Sequence, residues 1–170
     1  FDAEFGLFKK MVRASGRPMS ITVEQQDARP EWWKSLLDSI DQAQSEGLPM
    51  RGQVPPRATG VLLGLTVTPN PFSFHPRFGE IGALPLEEKV SRLQDPAFRA
   101  QLLSEEPIDV GVPLVMEIIT SYHKMFRLGE PANYEPAPED SFAALAEVAG
   151  INPLEIALDL MLEKEGRALI

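Results

Sequence analysis

Phe5, Phe8, Met11 and Val12 recur at helical spacing through the first fifteen residues. Lys9, Lys10 and Arg13 gather toward the far end of that stretch and Gly16 closes it, so the pattern predicts a helix over 1–15. Met19 to Glu24 is short and β-branched, which predicts a strand. The helical period returns at Arg29-Pro30-Glu31 and runs to about Glu46, with Trp33, Leu36, Leu37 and Ile40 as its inner stripe. At the adjacent pair Trp32-Trp33, one ring is expected to face the core and the other to cover it. Gly47 and Pro49 end the helix, and Met50 to Val54 reads as a second strand. Strands joined through a helix by short connections form the βαβ pattern, so the two should pair in parallel with a right-handed crossover.

Beyond Val54 the pattern loses its regularity. Pro55-Pro56 stops the strand, and Gly60 to Leu65 is an apolar run too short to assign to helix or strand by period. Residues 66–82 hold Pro69, Pro71 and Pro76 among Phe72, Phe74 and Phe78, which predicts a loop anchored by aromatic side chains. Two short helices follow: one from Pro85 to about Gln94, the other capped by Asp95, with Pro96 at its first position, ending near Leu103. Val112 to Tyr122 is apolar and β-branched at Val115, Ile118 and Ile119, and is expected to be a strand. Residues 127–140 form a proline-rich connection.

The clearest pattern lies at 141–167. Gly150 suits a left-handed helix end, Asn152 an N-cap, Pro153 a first helical position, and Glu155 can fold back as in a capping box. Leu145 and Val148 on the first segment, and Leu158, Met161 and Leu162 on the second, give the apolar faces of an αα-hairpin whose two faces must be buried.

That hairpin, Ser141-Phe142-Ala143-Ala144-Leu145-Ala146-Glu147-Val148-Ala149-Gly150-Ile151-Asn152-Pro153 and onward to Ile170, resembles a segment of the D-aminoacylase-like amidohydrolases, the N-acyl-D-amino-acid deacylase branch. Stretches 11–25, 32–65 and 72–96 resemble the same family in the same order. The resemblance implies an α/β fold: part of a (β/α)8 amidohydrolase barrel, carried by the parallel βαβ unit, with a mostly helical insertion. It divides the chain into a partial barrel segment (1–66), a proline-rich, mostly helical insertion (67–140) and the helical hairpin (141–170), together one compact unit. With two secure strands where such a barrel needs eight, the chain is expected to be an internal piece of a longer enzyme. A partial wall leaves unpaired strand edges, so self-association is expected.

Composition narrows the partners. Sixteen Lys and Arg against twenty-five Asp and Glu give a formal charge of −9, which argues against nucleic acid, whose phosphates demand clustered cations. No apolar run approaches the ~20 residues that cross a bilayer, so no membrane partner and a cytoplasmic location are expected. The absence of Cys excludes disulfides and thiolate metal sites. Sixteen prolines, about twice ordinary usage, account for the long irregular connections.

Family members hydrolyse the amide of N-acyl amino acids, so the resemblance implies zinc in the complete parent enzyme, lowering the pKa of a bound water and polarising the carbonyl. It implies no cofactor held by this chain. The family strand after a Gly-x-Pro-Val turn ends in Ser-His-Phe-Lys, with a metal-binding His and a Lys that contacts the substrate carboxylate. Aligned on Gly16 and Pro18, those places fall on Val23 and Gln25; the family's Tyr-Pro-Tyr corresponds to Val54-Pro55-Pro56. Neither replacement can bind metal or carboxylate in the same way. Glu24, Gln25, Gln53 and Arg57 stand at or just past strand ends, where α/β proteins place ligands, and are candidate substrate contacts. The competing reading makes Glu24 and Gln25 polar strand ends and Arg57 a solvated cation. His75, between Phe74 and Pro76, is a loop-packing residue that would lie near a substrate entrance in the full enzyme. His123 reads as a surface or core-edge residue, and two histidines 48 positions apart without Cys make a poor zinc set. The expectation is thus a segment of a metal-dependent amidohydrolase acting on C–N bonds, inactive alone. The alternatives are a non-catalytic α/β interaction module on that scaffold, or a branch using other residues.

Overall fold

The computed structural model describes residues 2–170, with Asp2 described by its backbone alone. The chain forms two compact units, one ending at Thr59 and the other spanning Gly60–Ile170. Each has its own apolar cluster.

The first unit is built from α1 (Asp2–Ser15), β1 (Met19–Thr22), α2 (Trp32–Ser45) and β2 (Met50–Gln53). The strands pair in parallel, Met19 opposite Met50 through Thr22 opposite Gln53, and the Val23 amide donates to the Gln53 carbonyl at 2.9 Å. Gly52 lets α2 approach: a Cβ there would lie 2.9 Å from Val23 Cγ2 and 3.3 Å from Leu37 Cδ2. Phe5, Val12, Val23, Leu36, Ile40, Ala43, Leu48 and Met50 form the core, with Phe8, Leu37 and both tryptophans packed against its edge. Met11, expected on the inner face of α1, is 50% exposed. At about 100° per residue it lies some 120° around the helix from Phe5, whereas Phe8 and Val12 fall within about 60°. Lys9 and Arg13 of α1 both reach the Glu46 carboxylate that ends α2, at 2.5 and 2.6 Å. Among the described residues this pair of strands is the whole sheet; the architecture is mixed α/β, dominated by helix, with no closed barrel.

The second unit holds α3 (Pro76–Ile81), α4 (Leu86–Gln94), α5 (Pro96–Leu103), α6 (Pro113–Thr120), a 3-10 turn (Tyr122–Lys124), a second (Pro138–Asp140), α7 (Phe142–Ala149) and α8 (Pro153–Gly166). Phe72, Phe142, Leu93, Leu102, Leu158 and Met161 are its fully buried centre. The caps read at Asp95, Asn152 and Gly150 are made: Asp95 accepts from the Phe98 amide at 2.8 Å, Asn152 from Leu154, and Gly150 ends α7 at φ 68°. Ser141, not singled out in the sequence, caps α7 by accepting from the Ala144 amide.

Three expectations are corrected. The stretch 112–122 is helical, not extended: Pro113 starts α6, and Ile119 is driven fully into the core. The β-branched preference there amounts to tenths of a kcal/mol per residue, which packing overrides. Within 66–82, residues from Pro76 form α3, whose first amide, that of Arg77, is met by the Glu105 carboxylate at 2.9 Å. On α7, Phe142 and Ala146 are buried, while Leu145 is 41% and Val148 90% exposed. Seven of the eight α7 residues are apolar, so spacing alone could not select the inward face.

The end of α8 departs from helix. Glu163 is extended, and Lys164 (φ 51°), Glu165 (φ 57°) and Gly166 (φ 81°) are left-handed. The turn delivers Leu169 and Ile170 to residues 63–64: Leu63 and Ile170 exchange amide–carbonyl bonds of 2.9 Å in both directions, and the Leu128 amide reaches the Leu169 carbonyl at 3.4 Å.

Candidate functional site

Four of the five candidate residues belong to the first unit and follow from its βαβ geometry. Parallel pairing sends both strands out at the same end. Glu24 and Gln25 therefore leave β1 where Gln53 ends β2, and Arg57 follows four residues on. Gln25, Gln53 and Arg57 are exposed; Glu24 is half-buried, and its Oε1 accepts from the Thr59 hydroxyl at 3.5 Å. What this end presents is one carboxylate, two amides and one guanidinium, a set suited to hydrogen-bonding a polar ligand. Val23 is 4% exposed, and its side chain packs on the α2 side of the sheet. That position is committed to the core.

His75 lies in the second unit and is 1% exposed. The Asn70 side chain organises the loop leading to it, accepting from the Phe72 amide at 2.9 Å and donating to the Gly64 carbonyl at 3.4 Å. The imidazole sits 5.5 Å from the Phe72 ring, and neither ring nitrogen has a protein hydrogen-bond partner. Burial pushes its pKa below the usual histidine value. The Glu105 and Glu106 carboxylates act in the opposite direction. The same Glu106 charge, after burial, helps raise the Tyr122 phenol to about 12. His75 is a packed core residue of its unit, and His123 is exposed in the 3-10 turn. Among the described residues no group of three or more His, Asp or Glu is disposed to hold a metal ion.

The second unit also carries a groove of about 380 Å³ between residues 127–130 and the end of α8. Arg127, Lys164 and Arg167 border it, and Leu128, Leu160 and Leu169 contribute apolar surface. Arg127 holds both Glu163 oxygens, at 2.6 and 2.7 Å, and depresses that carboxyl's pKa; Lys164 meets Glu130 at 3.3 Å. Arg127 is far in sequence from Lys164 and Arg167, so only the fold brings it to them.

No family model, curated protein or solved structure matches this chain. No helix of the described residues is long and apolar enough to cross a membrane.

Proposed function

We propose that the chain is a segment of a D-aminoacylase-type amidohydrolase, contributing one βαβ portion of a barrel wall and a mostly helical insertion. The parent would hydrolyse the C–N bond of N-acyl amino acids with zinc, and this segment alone would be inactive. The observation that carries the reading is the parallel β1–β2 pair, with Glu24, Gln25, Gln53 and Arg57 at one end. That end is where barrel enzymes of this architecture place substrate. In the parent, these four would contact the polar parts of the substrate and the metal ligands would come from other strands. The reading also places the parent in the cytoplasm, with self-association covering the open strand edges.

A direct test assays N-acyl-D-amino acids with added zinc, using this chain and, separately, the complete open reading frame. The expected result is turnover and stoichiometric zinc for the complete protein and neither for the 170-residue chain. Robust turnover by the chain alone, or a zinc-free and inactive complete protein, overturns the reading.

One observation favours a second reading, a non-catalytic interaction module on the same scaffold. The place where the resemblance implies a metal-binding His is Val23, turned into the core. Absence of metal from the complete protein would support that reading.

A further inference from the structure

The groove at the end of α8 is independent of the strand-end residues and lies wholly within the second unit. We propose that it binds a small organic carboxylate bearing an apolar tail, with Arg127 as the anchor for the carboxylate. Part of its wall is Lys164, the first residue of the left-handed turn. Left-handed backbone costs a non-glycine residue roughly 1–2 kcal/mol, and such strain persists where the surroundings enforce a particular geometry, often at ligand sites. Here the turn brings Lys164 and Arg167 to the same groove as Arg127.

The Arg127 fork already grips a carboxylate, that of Glu163, its two Nη atoms donating to the two carboxylate oxygens at 2.6 and 2.7 Å. That is the geometry in which guanidinium recognises planar anions. Both partners remain substantially exposed, 58% and 41%, so this internal pair is weak and exchangeable. An incoming carboxylate replaces it like for like. It gains in addition the contact of its tail with Leu128, Leu160 and Leu169, which the Glu163 side chain does not provide from its place in the turn. Glu163 thereby acts as a built-in competitor. Lys164 and Arg167 are themselves paired, with Glu130 at 3.3 Å and Glu165 at 3.0 Å, so Arg127 alone supplies the anchoring charge.

The test is titration calorimetry of the full chain with hexanoate, acetate and hexanamide, with circular dichroism confirming that each variant is folded. Hexanoate is expected to saturate one site more tightly than acetate, which lacks the tail, or hexanamide, which lacks the charge. Glu163→Gln removes the competitor and should tighten hexanoate binding by up to about fivefold. Arg127→Gln should weaken it by about tenfold or more. Failure of Glu163→Gln to bind hexanoate saturably, or equal binding by Arg127→Gln and the native chain, overturns the proposal. So does hexanamide binding as tightly as hexanoate.

Discussion

Replacing Gly166 by alanine tests the left-handed turn at its tightest point. The added Cβ would fall 2.5 Å from Val90 Cγ2, 3.2 Å from Leu86 Cδ1 and 3.4 Å from Leu65 Cδ1, at a residue with φ 81°. Three effects combine. The left-handed backbone costs alanine about 1–2 kcal/mol. Pressing a methyl into packed side chains costs about 1–3 kcal/mol more, and Val90 has little rotamer freedom with which to yield. The reduced entropy of the unfolded chain returns about 0.4–1 kcal/mol. The expected net loss is about 3 kcal/mol. Gly150→Ala separates the contributions, because Gly150 has φ 68° with nothing within 4 Å of the new Cβ. There only the backbone and unfolded-state effects operate, and about 1 kcal/mol should be lost. Urea denaturation followed by circular dichroism measures both variants, and hydrogen exchange across 153–170 locates the change. Equal destabilisation by the two substitutions would refute the steric part of the reasoning, and no loss at Gly166 would refute all of it.

Glu165→Gly should raise stability by up to about 1 kcal/mol, because relief of left-handed strain exceeds the entropy that glycine loses on folding; the same urea titration checks it. His75→Leu should stabilise by about 1–2 kcal/mol by removing a buried polar ring whose nitrogens lack partners. With His75 present, the folded chain resists a proton that the unfolded chain accepts. Its contribution should therefore be constant above pH 6.5 and decline as pH falls from 6.5 through the lower folded-state pKa. Melting temperatures of the native chain and His75→Leu between pH 7.5 and 5 should diverge on acidification; parallel curves would contradict this. Asp95→Ala should cost about 1 kcal/mol by uncapping α5 while Asp95→Asn stays near native, as thermal melts would show.

Much of the first unit was legible because its signals are local and agree. Gly16, Gly47 and Pro49 punctuate, Met19–Thr22 and Met50–Gln53 are short, and one amphipathic helix between them leaves parallel pairing as the simple solution. The caps at Asp95, Asn152 and Gly150 belong to the same category, since residue chemistry there fixes the backbone directly. Where several solutions had similar local energy, tertiary packing decided. Residues 113–120 carry enough β-branching to suggest a strand, but Ile119 reaches the core only as part of a helix. Helix α7 is apolar nearly all round, and the seat available to Phe142 set its orientation. The positions of Glu24, Gln25, Gln53 and Arg57 followed from the strand ends. The burial of His75 did not, because it depends on Asn70 and Phe72 folding the loop inward. Nothing local in Leu162-Glu163-Lys164-Glu165 announces a left-handed turn beyond the glycine that follows.

Trp32 and Trp33 are the chain's two tryptophans, and both lie in the first unit beside Arg29 and Lys34, whose charged groups stand 5.1 and 5.4 Å from the respective rings. Tyr122 and Tyr134 lie in the second. The protein is thus optically partitioned: emission excited at the red edge of the indole band originates from the βαβ half alone. Beyond its weakly absorbing phenylalanines, the helical half has two phenols, one of them half-buried.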